Sequence, residues 1–446
     1  MRSGKTTSPM RRPLEMFDQK VDVQPLSNEL GSTGGSIAPT NLRGLLEETL
    51  AGRELTARDA EALLLAEGPD FHALIAAADL ARSRDCGEDV SYVVCRNINF
   101  TNVCYVGCSF CGFARHKDDA LDAYDRTHDE ILAKCQNAVD RGATEVCIQG
   151  GIHPNKTHEH YRDILLAVKA RFPDLHIHAY SPEEIDFGHR KSGMKLEAYL
   201  QWLMDAGLGT MPGTAAEILD DEIRNILSPN KLKTDRWVEI IKAAHGLGLR
   251  STSTLMYGHI EKPRHIAGHL DLLREIQKET GGFTEFVPLG FIHERNLLYN
   301  LLGARPGPSM LEDLRMIAVS RLFLRPWITN IQISWVKMGH KLGQMALYAG
   351  ANDFGGTLME ESISRESGSD FGENTPPEEF RRLIREVGRV PVERTTLYNV
   401  VERFEDPALD PESLEPAKEV DLSGPARSRL KFESTKSEPK AEAPAA

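Results

Sequence analysis

Read along the chain, polar and apolar positions follow a repeating cadence. A short apolar stretch with strand character is followed by an amphipathic helix, then a glycine, then another strand. Strands are predicted over 92–99, 145–149, 175–180, 208–211, 249–256, 285–289 and 330–335, with a short eighth at 350–353. Thr127 and Glu130 form a capping box before a helix over 129–140, and Gly142 stops it. Helices over 161–171, 196–205 and 236–245 follow, the last two ending at Gly207 and Gly246. Strands alternating with helices imply a parallel sheet with right-handed crossovers. Six to eight such units predict an α/β fold, a full or partial (β/α) barrel of the TIM type. Chemistry in such a barrel sits on the loops that follow the strands. Here those loops are 101–111, 150–155, 181–184, 212–217, 257–261 and 291–295.

The flanks have other patterns. Leu42, Leu45, Leu46 and Leu50 fall on one helical face, so 41–90 reads as an N-terminal helical segment. The barrel is expected over 91–370 and a helical extension over 371–415. Segments 1–40 and 416–446 lack an apolar period and read as disordered tails. The first 13 residues are basic but have no apolar core, which fits a tail better than a targeting peptide.

Composition narrows the function. A net charge of -13 argues against a polyanion, so no nucleic-acid partner is expected. No apolar run approaches the ~20 residues of a membrane span, so no membrane partner is expected either. Seven cysteines is an odd number, and three of them fall within 104–111. In a large chain without a secretory signal, such a cluster reads as metal-binding. Cys86, Cys95, Cys135 and Cys147 read as buried, inert thiols.

Cys104, Cys108 and Cys111 are spaced C-x3-C-x2-C on a loop that follows the first strand, with Phe110 before the third. Iron–sulfur clusters are normally held by four cysteines. Three leave one iron open, and that site can chelate the amino and carboxylate groups of S-adenosylmethionine. Zinc is the competing reading, and His116 is available as a fourth ligand. Gly150 and Gly151 end the second strand, where backbone can approach a ligand closely, as the methionine end of the cosubstrate would require. Ser181 and Glu183 end the third strand, to recognise ribose or amino groups or to cap the next helix. His176 and His178 share one face of a strand. His293, Glu294 and Arg295 bind a carboxylate or pair with each other.

The runs 99–104, 149–154 and 178–183, with the cysteine loop, resemble one branch of the radical SAM superfamily. That branch holds the deazaflavin-forming FO synthase subunits and two enzymes of menaquinone synthesis, aminofutalosine synthase and dehypoxanthine futalosine cyclase. The resemblance covers roughly residues 60–405. Residues 212–219 look like the CofH-type FO synthase subunit, whereas 352–357 and Glu360-Glu361 are shared by the branch. Gly112 departs from the alanine more usual after the third cysteine.

The resemblance implies one 4Fe–4S cluster on Cys104, Cys108 and Cys111, with S-adenosylmethionine beside Phe110, Gly150, Gly151, Ser181 and Glu183. It implies a transferase that cleaves the side chain of L-tyrosine and couples the 4-hydroxybenzyl radical to 5-amino-6-(D-ribitylamino)uracil. The other products are 2-iminoacetate, methionine and 5′-deoxyadenosine. A separate CofG-type enzyme would close the third ring, a ferredoxin or flavodoxin would reduce the cluster, and the location would be cytoplasmic. His153, Glu217, Arg295 and Asn352 are the candidates for substrate binding, and no catalytic residue is assigned. A menaquinone enzyme and a non-catalytic iron–sulfur or zinc module are the competing readings.

Overall fold

In a computed structural model of the chain, residues 41–117 and 120–409 are described; the predicted tails, 1–40 and 416–446, lie outside the described residues. Asn41 caps α1 (Leu42–Leu50), and Thr56 with Asp59 closes a capping box on α2 (Ala57–Leu64). With α3 (Gly68–Cys86) they bury Leu45, Leu46, Leu63 and Leu74. β1 (Asp89–Val93), β2 (Cys95–Asn99), α4 (His128–Asp140), β3 (Glu145–Gln149), α5 (His158–Arg171) and β4 (His176–Ala179) follow. Next come α6 (Pro182–Ser192), α7 (Leu196–Asp205), α8 (Asp221–Leu227), α9 (Thr234–Gly246), β5 (Ser251–Tyr257), α10 (Pro263–Thr280) and β6 (Phe283–Gly290). α11 (Leu297–Asn300), α12 (Met310–Leu324), α13 (Trp335–Tyr348), β7 (Asp353–Gly356), α14 (Ser362–Ser367), α15 (Pro377–Glu386), β8 (Val390–Arg394) and β9 (Val400–Arg403) complete the order.

The strands form a closed ring. β2, β3 and β4 pair in parallel, as do β5 and β6. Single bridges carry the ring across the gaps: His178 to Thr210, Met211 to Ser251, Phe286 to Ile331 and Gln332 to Asp353. Thr357 Oγ1 accepts the Cys95 N–H at 2.9 Å, and the Asn97 N–H reaches the Leu358 carbonyl at 2.8 Å, closing the ring between β7 and β2. Apolar positions such as Val146, Ile148, Ile177 and Phe286 fill the core. This is the TIM-type barrel expected from the cadence.

Several elements differ from the sequence reading, each for a local reason. The expected first strand is two. β1 pairs with β7 and β8, whereas β2 pairs with β3. The fourth expected strand, 208–211, makes only bridges. Gly209 packs against His176, where a Cβ would lie 2.5 Å from the ring, and Pro212 lacks an N–H to continue the ladder. The seventh shrinks to bridges because Trp335 already begins α13. The eighth shifts to 353–356, since Gly350 has a φ of +110°, outside the strand region. The segment 371–415, expected to be helical, holds α15 and then two strands. β8 forms despite Pro391, a residue that ordinarily marks an edge or a break in a sheet, because β1 pairs along it.

The amino-terminal end of the ring is sealed by β8 and the turn after it. Arg394 pairs with Asp353 and Glu285; Tyr398 donates to Glu285 and Thr396 to Glu145. All three acids are buried and stand in the first three residues of their strands. Nearby, His176 Nε2 and His178 Nδ1 share Thr210 Oγ1 at 2.8 and 2.7 Å, so His178 is a hydrogen-bonded core residue. Burial lowers His178 to about 3 and His176 to about 4. Below their usual value of 6.5 the unfolded chain therefore binds more protons than the folded one, and stability falls with pH. His178→Asn should show a shallower drop in thermal midpoint between pH 6.5 and 4 than the natural protein. An identical drop in both would contradict this.

Candidate active site

The cysteine loop is held from both sides by backbone. The Cys104 N–H donates to the Arg115 carbonyl at 2.8 Å and the Tyr105 N–H to Ile152 at 3.1 Å. Ser109 donates its N–H and its hydroxyl to Leu227, at 2.8 and 2.9 Å, tying the loop to the end of α8. Asn230 Nδ2 donates to the Val106 carbonyl at 3.1 Å. Gly107 takes a φ of +72°, a conformation that favours glycine.

Cys104, Cys108 and Cys111 line one cavity of about 160 Å³ together with Phe110, Gly150, Gly151, Ser181 and Glu183. The two glycines are sterically required. A Cβ on Gly150 would sit 2.6 Å from the Phe100 ring, and one on Gly151 would sit 2.3 Å from the Val103 carbonyl oxygen. Gly112 is explained likewise. A Cβ there would lie 2.7 Å from the Glu366 carbonyl, so alanine does not fit.

Ser181 caps α6 in a box with Glu184. Glu184 also accepts the Gly150 N–H at 3.0 Å, which locks the end of β3 to the start of α6; burial raises it to about 7. Glu183 accepts the Leu232 N–H at 2.9 Å, and burial raises it too. Lys231 lines the same cavity and pairs with Glu217 at 2.5 Å. Burial opposes the charge on Lys231, but Glu217, Cys108 and Glu183 hold it well above the usual lysine range. Burial pushes the Cys104 and Cys108 thiols up.

The 215–217 turn is strained, with φ of +69° at Ala215 and +43° at Glu217. Buried Arg224 holds it in place, donating to the carbonyls of Ala215, Ala216, Ile218 and Leu232.

The spacing of the three thiols does not fit one tetrahedral zinc. A tetrahedral zinc with bonds of about 2.3 Å needs sulfurs about 3.8 Å apart. Among the described residues, only Asp220, Glu222 and His265 bring three ligand atoms within 4.8 Å of one another; the three cysteines do not. His116, the candidate fourth ligand, is exposed and its Nδ1 meets the Cys104 carbonyl.

The substrate candidates from the sequence scatter. Glu217 reaches the cavity only through Lys231. His153 is buried but accepts the Asn155 N–H at 3.2 Å, within its own turn. Arg295 is exposed, and His293 Nδ1 stands 3.7 Å from the Glu294 carboxylate, too far for a hydrogen bond. Asn352 is corrected: it precedes β7 at the sealed end of the barrel, and its amide is used by Arg321, Ile331 and Asn330. Sequence reasoning missed Glu184, Lys231, Gln149, Thr214 and Asn99, which also line the cavity. The Ser181–Glu184 box was a usable signal; Lys231 offered none.

Residues 98–273 match the radical SAM superfamily, and residues 280–406 match the CofH/MqnC C-terminal region. Methylornithine synthase (PylB) shares the fold with a TM-score of 0.60 at 20% identity, over 77% of this chain and 95% of that one. The hydrogenase maturase HydG shares it with a TM-score of 0.63 at 16% identity, over 80% and 76%. Fold and site thus define a radical SAM enzyme. The 5-amino-6-(D-ribitylamino)uracil–L-tyrosine 4-hydroxyphenyl transferase of Methanopyrus kandleri is 52% identical over 75% of this chain and 90% of its own length. The transferase of the same name from Methanothermobacter thermautotrophicus is 45% identical over 81% and 98%. The FO synthase of Mycobacterium tuberculosis is 50% identical over 76% of this chain, which spans 39% of that longer protein.

The chain belongs to the CofH-type family of radical SAM FO synthase subunits, enzymes of radical carbon–carbon coupling. The menaquinone reading and the non-catalytic module are not favoured. Among the described residues no helix is long and apolar enough to cross a membrane.

Gly151→Ala should force the cysteine loop off β3, at about 1–3 kcal/mol for overpacking. Iron bound per chain after reconstitution should fall. Gly246→Ala, with open space around it, should leave iron loading unchanged. Equal loading in the two variants would contradict the packing argument.

Proposed function

We propose that Cys104, Cys108 and Cys111 hold one 4Fe–4S cluster and that S-adenosylmethionine occupies the adjoining cavity. The single observation behind this is that the three thiols share that cavity with Gly150, Gly151, Ser181 and Glu183. When bound, the pair supplies one-electron cleavage to methionine and a 5′-deoxyadenosyl radical. The chain's own part is placement. Gly150 and Gly151 leave room for a ligand against the backbone, and Glu183 offers a carboxylate to amino or hydroxyl groups. Phe110 and Ile363 supply apolar wall that keeps water out.

The substrates in this reading are L-tyrosine and 5-amino-6-(D-ribitylamino)uracil. A hydrogen atom passes from the tyrosine amino group to the adenosyl carbon, the Cα–Cβ bond breaks, and the 4-hydroxybenzyl radical adds to the uracil as 2-iminoacetate departs. The adduct gives up one proton and one electron, which balances the electron taken up in the cleavage. Support comes from the names of relatives that align over 90% and 98% of their length. A separate CofG-type enzyme then closes the ring, and ferredoxin or flavodoxin supplies electrons. A reducing cytoplasm suits the seven free cysteines. Glu217, with Lys231, and His153 remain candidates for substrate contact; exposed Arg295 would act from the rim.

Each of the three cysteines changed to alanine should abolish formation of 5′-deoxyadenosine under anaerobic, reducing conditions. The natural enzyme given both substrates should release 2-iminoacetate and the coupled product. Retained cleavage in any cysteine variant would overturn the ligand set, and absence of 2-iminoacetate would overturn the tyrosine assignment.

A further inference from the structure

The strands that carry the cysteine loop are more open on the inside of the barrel than on the outside. Along β3, Val146 and Ile148 are fully buried, whereas Cys147 and Gln149 are half-buried. Successive residues of a strand face opposite sides. Gln149 lines the cysteine cavity and Glu145 joins the seal, so the half-buried residues are the inward ones. The register sets Asn97 beside Cys147 and Asn99 beside Gln149, on that same face. Asn97 is half-buried as well, while its neighbour Ile98 is buried. The pattern recurs at half-buried Gln332, between the fully buried Ile331 and Ile333. Space therefore remains inside the barrel, between the seal and the cysteine cavity.

Three carboxamides stand on the inward face of β2 and β3, and they differ in how far they are used. Asn99 is spent: its Nδ2 donates to the Gln149 carbonyl at 3.3 Å, and its Oδ1 accepts the Ser362 hydroxyl at 3.0 Å. Gln149 is half-spent. Its Nε2 donates to Thr214 Oγ1 at 2.8 Å, and its Oε1 has no partner among the described residues. The Asn97 side chain has no hydrogen-bond partner among the described residues at all. The free atoms of both are accessible rather than sealed in.

This face carries no free charge. The Glu145 carboxylate accepts from Thr396 in the seal, and burial raises the Cys147 thiol, which keeps it protonated. What is left is one whole carboxamide and the free oxygen of another. A carboxamide presents a donor and an acceptor side by side. Its complement is a group that presents an acceptor and a donor in the same way, as the C=O and N–H of a cyclic imide do. An amino-acid zwitterion, by contrast, needs a charge opposite each of its own. The lining suits an uncharged heterocycle.

We propose that Asn97 and Gln149 seat the pyrimidinedione ring of the uracil substrate, Asn97 pairing with its imide edge and Gln149 Oε1 accepting a second N–H. The assignment rests on the uracil reading above. Because Gln149 also lines the cysteine cavity, the ring stands beside the place proposed for S-adenosylmethionine, as coupling to a radical formed there requires.

The test is equilibrium binding, to the anaerobically reconstituted enzyme, of 5-amino-6-(D-ribitylamino)uracil and its N3-methyl derivative, which cannot donate from the imide. The natural protein should prefer the parent. Asn97→Ala removes the amide and makes room for the methyl group, so the parent should weaken about tenfold or more and the preference should disappear. Gln149→Met should weaken both ligands and keep the preference. Damage to the fold would not split the two variants in this way. Should Asn97→Ala fail to fold, Asn97→Ser is judged by the same ligand pair. No preference in the natural protein, a preference retained in the Asn97 variant, or an unchanged affinity for the parent in either variant would overturn the site and leave the uracil reading standing. If the natural protein binds neither uracil, that reading itself fails, and the site assignment falls with it.

Discussion

Between the cysteine loop and the end of β3 there is room for two backbones and no side chain. Val103 lies so close to Gly151 that a methyl group would meet its carbonyl oxygen at 2.3 Å. The Gly151 N–H in turn donates to Thr101 at 2.8 Å, and the Ile152 carbonyl accepts from Tyr105. Each bond contributes about 0.5–1.5 kcal/mol net. Together they fix where the thiols point before any ligand arrives. The strain at Ala215 and Glu217 belongs to the same construction. A turn in a sparsely populated conformation persists because Arg224 gathers its carbonyls, and it delivers Glu217 to Lys231.

The two ends of the barrel solve opposite problems. At the amino-terminal end the charged groups of the seal find partners in the protein. Arg394, Asp353, Glu285 and Tyr398 form a closed, buried network, and removing one partner from such a network is costly. At the carboxyl end polar groups are left for ligands. Asn352 shows how the chemistry of a residue misleads without its position. An asparagine beside a β-strand is a fair ligand for a sugar or a uracil, but this one lies on the sealed side and spends its amide on Arg321 and its neighbours.

The barrel was legible because its helices carry their boundaries in sequence. Thr127 with Glu130 caps α4 as its residue types predict, and β3 coincides with its apolar run. What was not legible depended on contacts distant in sequence. Nothing local divides 92–99 into two strands; the partners of β1 lie in β7 and β8, more than 250 residues on. Pro391 argued against a strand that β1 nevertheless supports. At the site, cysteine spacing and paired glycines are local signals and could be read. Lys231 was invisible, because a lysine in a loop is ordinary until the fold buries it against Glu217 and Cys108.

Charge also sets what the cysteine cavity admits. There Glu183 and Glu184 are held by backbone N–H groups, and the one lysine is already matched by Glu217. Such a lining has carboxylate to offer and no spare cation, so it favours a ligand that carries positive charge, as a sulfonium with a free amino group does. An anionic group finds no free cation in that lining, so charge screens what enters before shape is considered.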